Sequence, residues 1–350
     1  MTQVMSVLGP VDGDELGVTL THEHIFNDAS SWSHRTTSIG WDPDDLAARP
    51  VSEDILWDLR HDPFANDDNC RLDDLQVAID EVQRFADLGG RTIIEATGLG
   101  FGRDLKALAE VSRATGITVI AGTGYYLDPA IPADVRDLSP ERIAETILAD
   151  LAEGDGGVRP GFIGEIGVGS EFTEAERASL AGACLAQREA SLPLQIHLPA
   201  WFRLGEDVLD VVESHGVDPA RVVLCHMGPS GADLDYQERL LSRGVFLQYD
   251  MLGMDVFYAD QGVQCPSDEQ NAAWLTRLVE RGHVAQLLLS QDIFLKSLLR
   301  SHGGPGYGHV LQYFVPRLLA AGLDTGTVEL LMVANPRSLF TGARPTATTI

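Results

Sequence analysis

The sequence is nearly devoid of lysine: among its 350 residues only Lys106 and Lys296 are lysines, and the other basic residues are arginines. Acidic residues outnumber basic ones by 52 to 25, which gives a formal net charge of −27. A surface with this charge repels phosphate backbones and anionic lipids, because like charges disfavour association. We therefore expect neither nucleic acid nor a membrane as a partner, and we attribute the charge to solubility.

Paired cysteines and long apolar runs are also missing. The cysteines, Cys70, Cys184, Cys225 and Cys265, form no C-x-x-C motif and no spacing typical of a disulfide framework. No run of about 18 apolar residues predicts a membrane-spanning helix. Residues 1–16 lack the basic and apolar parts of a signal peptide. These absences predict a cytoplasmic protein without disulfide bonds.

Low-complexity segments are absent as well, and glycine and proline are scattered along the chain. The length fits one α/β barrel with insertions, since such barrels begin near about 250 residues. Two ordinary domains would have the same length. We predict a single barrel domain over residues 1–350.

Short apolar, β-rich runs alternate with helical patterns along the chain. Runs of this kind are typical of strands that are buried on both faces. Strand and helix repeated in this way predict a parallel sheet, and eight parallel strands close into a (β/α)8 TIM barrel. An open doubly wound sheet is the alternative, but no G-x-G-x-x-G motif follows the first strand. The eight predicted strands are 17–24, 91–97, 117–126, 161–167, 192–198, 221–227, 244–250 and 285–292.

Helix signals separate these runs. Thr173 and Glu176 form the pattern of a capping box, and so do Ser267 and Gln270. Ser139 precedes a proline that suits the first position of a helix. These signals support the alternation of strands and helices.

The connection that follows the first strand, residues 25–69, is a long insertion between the first strand and the first barrel helix and has no clear periodic element. It contains Trp32, Trp41, Trp57 and Phe64. Long loops in compact domains are usually functional lids or disordered segments. The aromatic residues favour an ordered lid, and packing of these residues on the barrel rim is the alternative.

Residues of the type that bind metal ions stand at the carboxyl ends of the predicted strands. Strand ends converge on one mouth of a barrel, where barrel enzymes have their active sites. Any one of these residues alone is better explained as a satisfied core residue. Burying all of them without a metal ion would cost several kcal/mol for each unpaired charge. They are His22 and His24, which share a face of the first strand, and Glu165, His197, His226 and Asp292.

These donors favour a centre with two metal ions. Imidazole and carboxylate ligands without thiolate suit zinc, manganese, cobalt or iron(II). The ligands are too many for one tetrahedral zinc ion, so we expect two divalent ions with Glu165 as the bridging carboxylate. Ser290 and Cys225 lie beside ligand positions, but strand alternation should turn their side chains away from the mouth.

The motifs resemble those of the phosphotriesterase family of the amidohydrolase superfamily, and specifically its phosphotriesterase-related branch. The resemblance runs from LGPVDGDELGVTLTHEH at Leu8 to VANPRSLFTG, which ends at Gly342. Its most specific parts are THEH, GFIGEIG, SQD, GGPGYGH and the closing Asn335-Pro336. The resemblance implies that His22 and His24 bind a buried metal ion and that His197 and His226 bind a more exposed one. It also implies that Asp292 ligates the buried ion and shuttles protons.

One position departs from the pattern of many family members. Those members bridge the metal ions with a carboxylated lysine, whereas this sequence has Glu165 there and no lysine at that strand end. The departure points away from the organophosphate-degrading and acyl-homoserine-lactonase members. It points to the glutamate-containing branch, whose activities include amide hydrolysis.

We therefore expect a hydrolase in which a metal-bridging hydroxide attacks a carboxylic acid derivative: an amide such as an N-acyl amino acid, a lactone or an ester. Zinc is the metal we favour, and the resemblance suggests a homodimer acting on a small molecule. Tyr126 matches an aromatic pocket position, and Arg103 is a candidate to pair with an anionic substrate. A phosphotriester hydrolase, a mononuclear lyase or isomerase and a catalytically silent binding barrel are the alternatives.

Overall fold

The structure, a computed structural model, describes residues 2–36 and 40–342. Its strands are β1 (Gln3–Ser6), β2 (Gly9–Asp12), β3 (Thr19–Glu23), β4 (Asn27–Asp28), β5 (Arg71–Leu72), β6 (Thr92–Glu95), β7 (Thr118–Thr123), β8 (Phe162–Gly167), β9 (Leu194–His197), β10 (Val222–Leu224), β11 (Phe246–Tyr249), β12 (Phe257–Tyr258), β13 (Val263–Gln264) and β14 (Leu287–Leu289).

Its α-helices are α1 (Pro43–Ala48), α2 (Leu56–His61), α3 (Leu75–Asp87), α4 (Leu105–Thr115), α5 (Pro140–Glu153), α6 (Glu174–Ala190), α7 (Gly205–Ser214), α8 (Leu234–Ser242), α9 (Asp268–Glu280), α10 (Val315–Ala320), α11 (Thr325–Glu329) and α12 (Asn335–Thr341). Short π-helical segments, Val310–Phe314 and Leu330–Ala334, lead into α10 and α12. None of the helices in the described residues combines the length and the apolar character needed to cross a membrane.

Within the described residues, eight strands form one parallel sheet in the order β3-β6-β7-β8-β9-β10-β11-β14. The last strand returns to the first. The Thr21 hydroxyl donates to the Leu289 carbonyl at 3.1 Å, and the Asp292 amide donates to the His22 carbonyl at 3.2 Å. The (β/α)8 barrel is confirmed, and each predicted run contains one of its strands.

Alternate residues of the strands face the inside of the barrel, as the strand period of two requires. On β6, Ile93 packs toward the surrounding helices and Ile94 packs inside. The inner cluster also includes Leu16, which precedes β3, and Leu339 and Phe340 of α12. Apolar side chains therefore fill the barrel at the amino ends of its strands, and polar side chains occupy the opposite end.

The predicted helix starts are confirmed. The Thr173 hydroxyl accepts from the Glu176 amide at 3.3 Å, and the Glu176 carboxylate accepts from the Thr173 amide at 3.0 Å. Ser267 and Gln270 make the same reciprocal pair at the start of α9. Each capping box therefore fixes the point at which the chain turns from a barrel loop into a helix.

The long connection after β3 is an ordered structure with short elements that the sequence did not predict. Its strand β4 pairs with β5, and α1 and α2 pack around Leu46, Ile55 and Leu59. Helices of six residues are too short to give a readable 3.6-residue period, which explains why they were missed. The hairpins β1–β2 and β12–β13 were missed because their strands, of four and two residues, are too short to show a readable alternation.

The far end of this connection is attached to the loop after β14. The Lys296 ammonium pairs with the Asp68 carboxylate, and the Lys296 amide donates to the Asn69 carbonyl at 3.0 Å. The Asn69 side chain also accepts from the Ser297 amide at 2.8 Å. The connection therefore lies over the barrel mouth as a tethered lid.

Asn335, in the closing motif of the sequence, joins α12 to the base of β14. Its buried side-chain amide donates to the carbonyls of Val284 at 2.7 Å and Leu287 at 2.8 Å. Loss of both donors would leave two carbonyls without partners inside the protein, and unsatisfied buried groups are costly.

We predict that Asn335→Ala lowers the free energy of unfolding by about 2–4 kcal/mol, because two buried carbonyls lose their donor. Urea denaturation followed by circular dichroism measures the change. Arg337 lies on the same helix as Asn335 and forms an exposed ion pair with Asp14. Arg337→Ala, which removes only that pair, should cost less than about 1 kcal/mol. Equal stability of Asn335→Ala and the unmodified protein would show that these hydrogen bonds contribute nothing.

Candidate metal centre

Histidines and carboxylates from five barrel strands meet at the carboxyl end of the barrel. His197 is partly exposed and the others are buried. The structure brings together all the residues that the sequence proposed as ligands: His22 and His24 on and just after β3, Glu165 in β8, His197 at the end of β9, His226 after β10 and Asp292 after β14.

Glu165 lies at the centre of this cluster, between two pairs of histidines. Its Oε1 atom is 3.4 Å from Nε2 of His22 and 3.4 Å from Nε2 of His24. Its Oε2 atom is 3.3 Å from Nδ1 of His197 and 3.4 Å from Nε2 of His226. Each carboxylate oxygen therefore faces a different pair, which is the arrangement that a bridging carboxylate needs.

Asp292 approaches the same cluster from the side of the first pair. Its Oδ1 atom is 3.2 Å from Nε2 of His24 and 3.6 Å from Nε2 of His22. Its Oδ2 atom is 3.9 Å from Nδ1 of His226. The carboxylate also lines the open cavity above the cluster, so it is in reach of both the histidines and a substrate.

The backbone is irregular where it presents these side chains. The pairing of β3 with β6 shifts register between Leu20 and Glu23, and that of β8 with β9 shifts between Ile163 and Ile166. Register shifts of this kind re-aim side chains beside active sites. A Cβ at Gly122 would lie 2.0 Å from the Gly164 carbonyl oxygen. Only glycine therefore allows β7 to pass close to the segment that presents Glu165.

Cys225 corrects one expectation about the neighbours of the ligands. Strand alternation predicts that it faces away from the mouth, but the side chain points into the barrel and packs in the inner cluster. Its sulfur lies within 4.8 Å of donor atoms of His22 and Asp250. Val223 and Cys225 both face inward and Leu224 faces outward, so alternation holds through Cys225. The departure is at His226, whose φ of +61° lies outside extended geometry. Burial raises the pKa of the Cys225 thiol well above its usual range, so the group is a neutral filler.

Glu23, the middle residue of the THEH motif, is a positioning residue that the sequence reasoning missed. Its carboxylate accepts from the Ser290 hydroxyl at 2.7 Å, the Gln291 amide at 2.8 Å and the Ile293 amide at 3.0 Å. These bonds surround Asp292 and hold its segment in place. Burial raises the pKa of Glu23 to about 7, against the opposing effect of the hydrogen bonds.

Asp250, at the end of the seventh barrel strand, supports a histidine of each pair. Its carboxylate lies 3.0 Å from Nδ1 of His226 and 3.5 Å from Nδ1 of His22, and it accepts from the His226 backbone amide. A carboxylate on the far nitrogen of an imidazole fixes the tautomer and the orientation of the ring. Asp250 is the last residue of the predicted strand 244–250, and this position could have identified it in the sequence.

His24 has its own support from β6. Its Nδ1 atom is 2.9 Å from the Thr97 hydroxyl, which donates to the Glu95 carboxylate at 2.6 Å. Glu95 also accepts from the Ile25 amide at 3.1 Å. The polar residues in the otherwise apolar run RTIIEAT therefore orient His24. They too lie at a strand end, and this position could have identified them in the sequence.

The charges of the cluster balance one another. Burial by itself raises the pKa of Glu165 and Asp292, but the surrounding histidines hold the pKa of both carboxylates below its usual range. Burial by itself lowers the pKa of His22, His24 and His226, but the carboxylates raise all three, that of His24 to about 10. The carboxylates thus require positive charge among the ring nitrogens, which either protons or divalent cations can supply.

The donor atoms fit divalent metal ions. In the described part of the chain, neither ring nitrogen of His22 has a hydrogen-bond partner, and the Oε2 atom of Glu165 has none. Nε2 of His226 lies only 2.7 Å from Nδ1 of His197, and burial together with His226 lowers the pKa of His197. Converging imidazole nitrogens and unpartnered carboxylate oxygens are the donors that zinc-type cations bind.

The two predicted substrate residues differ in where they lie. Tyr126 lines the cavity, and its hydroxyl is 3.2 Å from Nδ1 of His197. Arg103 does not line it. The Arg103 guanidinium binds both Asp150 carboxylate oxygens, at 2.7 and 2.9 Å, and the Gly122 carbonyl at 2.7 Å. These donors are used within the protein and the Arg103 side chain is only 8% exposed. The contacts do not support a pairing of Arg103 with an anionic substrate, which stays a prediction.

A cavity of about 630 Å³ opens directly above the cluster. Its volume is that of a pocket for a small organic molecule. Residues of the lid, Trp32 and Phe64, line it together with the ligands His24 and Asp292. The lid prediction is therefore correct for these two aromatic residues, whereas Trp57 is 67% exposed on the outer surface.

Known proteins share this architecture over almost their whole length. Residues 2–340 match the phosphotriesterase family. The N-acetyltaurine hydrolase of Danio rerio is 31% identical over 346 residues, covering 97% of this chain and 98% of the relative.

Two solved structures show the same correspondence. A resiniferatoxin-binding protein from Rhodobacter sphaeroides is 46% identical with a TM-score of 0.95, over 98% of this chain and 96% of that protein. A phosphotriesterase homology protein from Escherichia coli, crystallised with phosphate in its active site, is 29% identical with a TM-score of 0.78, over 93% and 99% of the two chains. Matches of this length and identity establish that the chain belongs to the phosphotriesterase family, as its motifs predict, and that it is a metal-dependent hydrolase.

Proposed function

We propose that this hydrolase holds two divalent metal ions and cleaves the acyl bond of a carboxylic acid derivative, an amide, a lactone or an ester. The observation that carries the proposal is Glu165, whose two oxygens face separate pairs of histidines. His22 and His24 would hold one ion with Asp292, and His197 and His226 would hold the other. Zinc is the metal we propose, and manganese, cobalt and iron(II) accept the same donors.

The metal ions would supply Lewis acidity for the scissile carbonyl and would lower the pKa of a water molecule. Asp292 is the residue placed to take the proton of the attacking water, since its carboxylate lines the cavity beside the histidines. It would then deliver that proton to the leaving group. An amide requires this delivery, because the leaving nitrogen departs as a neutral amine and not as a strongly basic anion.

Tyr126 would bind the substrate from the opposite side of the cavity. Burial, with Glu165 and Asp292 nearby, raises the pKa of its phenol well above the usual range. The group therefore stays protonated and can donate a hydrogen bond to a carbonyl oxygen. Its distance of 3.2 Å from Nδ1 of His197 keeps the hydroxyl at the edge of the cluster.

Two further observations favour an acyl bond over a phosphotriester. The N-acetyltaurine hydrolases among the relatives are named for the cleavage of an amide. A glutamate occupies the bridging position here, and the two lysines pair with Asp155 and Asp68 away from the cluster. The proposed partner is a small-molecule substrate, and the homodimer stays a prediction.

We predict that Glu165→Gln loses bound metal and activity together, because the amide keeps the shape of the side chain but removes the charge between the two cations. Metal content measured by mass spectrometry should fall from about two ions per chain to fewer than one, and activity should fall on the order of 100-fold or more. Glu174→Gln, the same change at an exposed position on α6, should keep both ions. Full occupancy in Glu165→Gln would identify another residue as the bridge.

We predict that Asp292→Asn damages amide hydrolysis more than hydrolysis of a nitrophenyl ester. The amide leaving group needs a proton and the nitrophenolate does not, and a positioned general acid contributes about 10²–10⁴-fold. The ratio of the two kcat/KM values should therefore fall at least tenfold in the variant. Metal content must be measured in the same sample, since Asp292 is also a proposed ligand. Equal losses on both substrates with metal retained would exclude proton delivery by this residue.

A direct comparison of substrates tests the reaction class. The purified, metal-loaded enzyme should hydrolyse its best amide, lactone or ester with a higher kcat/KM than any dialkyl aryl phosphate. A phosphotriester that surpasses every acyl substrate tried would refute the proposal and leave the family assignment intact.

A further inference from the structure

One wall of the cavity above the metal centre is a cluster of aromatic rings. The ring centroids of Trp32 and Phe101 are 5.7 Å apart, those of Trp32 and Tyr126 are 5.4 Å apart and those of Phe101 and Tyr126 are 4.7 Å apart. The Phe101 ring also lies 5.8 Å from that of His24. This wall therefore reaches from the lid down to the proposed ligands.

A second wall of the cavity is aromatic as well. Phe64 of the lid lies 5.8 Å from Tyr258 and 6.3 Å from Phe294, measured between ring centroids. Trp201 lies 5.7 Å from Tyr258 and extends the wall toward the opening. All these residues line the cavity. A substrate above the metal centre would thus meet aromatic rings of both groups.

The charged residues of the cavity are mostly acidic. Arg136 is the one arginine or lysine among its described lining residues, and its guanidinium binds the carboxylate and the carbonyl of Asp128. Glu171 and Asp260 are exposed lining residues, and neither forms an ion pair with an arginine or lysine in the described part of the chain. An anionic group of a substrate would therefore meet carboxylates and aromatic faces and no unpaired arginine or lysine.

We infer that the substrate of the proposed hydrolysis carries a bulky aromatic or otherwise apolar group and no negative charge away from the scissile bond. The inference rests on the proposed function and specifies its substrate class. Aromatic walls supply burial and ring stacking for the apolar group. A buried anion without a cation is disfavoured, and apposition of like charges costs several kcal/mol.

This substrate class differs from the one for which the Danio rerio relative is named. N-acetyltaurine combines a small acyl group with a sulfonate, and it would leave most of the 630 Å³ cavity unfilled. Its sulfonate would also need a cationic partner, and Arg103 and Arg136 are already bound to Asp150 and Asp128. The proposed centre is therefore paired here with a pocket for a larger and uncharged molecule.

Four matched amides separate the effect of the size of the acyl group on turnover from the effect of the charge of the substrate. The metal-loaded enzyme is assayed with N-phenylacetyltaurine, with its neutral analogue in which a methyl sulfone replaces the sulfonate, and with the N-acetyl versions of both. We expect kcat/KM to be at least tenfold higher for the sulfone than for the sulfonate, and at least tenfold higher for phenylacetyl than for acetyl. Each factor of ten corresponds to about 1.4 kcal/mol.

Two pairs of variants assign these preferences to the cavity. Trp32→Ala should lower the ratio of phenylacetyl to acetyl turnover at least threefold. Trp57→Ala, on the exposed outer face of the same lid, should leave the ratio unchanged. Asp260→Lys should raise turnover of the sulfonate relative to the sulfone. Asp80→Lys makes the same charge change at an exposed position of α3 that does not line the cavity, and it should not alter this ratio.

The outcomes distinguish this inference from the proposed function. If the enzyme hydrolyses these amides but prefers acetyl or the sulfonate, the inference is overturned and the proposed function stands. If it hydrolyses none of these amides, none of the corresponding nitrophenyl esters and no lactone, the proposed function itself is refuted. Preference for the neutral phenylacetyl compound, reduced by Trp32→Ala and not by Trp57→Ala, supports both.

Discussion

The structure depends on one electrostatic constraint, the burial of the Glu165 carboxylate among histidines at the mouth of the barrel. Both of its oxygens lie 3.3–3.4 Å from ring nitrogens that come from three other strands. A carboxylate without such neighbours would be expelled from the interior or protonated. The requirement for positive charge around it explains both why the histidines converge and why divalent cations suit the space between them.

A surrounding set of buried acids makes this convergence rigid. Glu23 holds the segment that carries Asp292, Asp250 supports a histidine of each pair, and Glu95 acts on His24 through the Thr97 hydroxyl. Hydrogen bonds reach both carboxylate oxygens of Glu23 and Asp250 and one oxygen of Glu95, and they offset the cost of burying these acids. The result is a centre whose ligands are oriented before a metal ion or a substrate binds.

The barrel separates the chemistry from the choice of substrate. The strand ends provide the cluster of proposed metal ligands, whereas the lid and the barrel loops provide walls of the cavity. Trp32 and Phe64 come from the lid, and Lys296 and Asp68 attach the lid to the loop that follows the last strand. A change of lid sequence can therefore alter the cavity without disturbing the centre.

The local sequence pattern by itself determined the eight strands, the barrel, the capping boxes and the placing of six ligand-type residues at strand ends, because these follow from periodicity and short-range signals. Contacts between distant parts of the chain were decided only by the tertiary structure. Ser290 donates to Glu23 across 267 positions of sequence, and Arg103 is bound by Asp150 across 47. Closure of the barrel brings such partners together, and the local sequence pattern does not show which distant residues will meet. For the same reason, the inward turn of Cys225 and the aromatic walls of the cavity could be recognised only once the chain was folded.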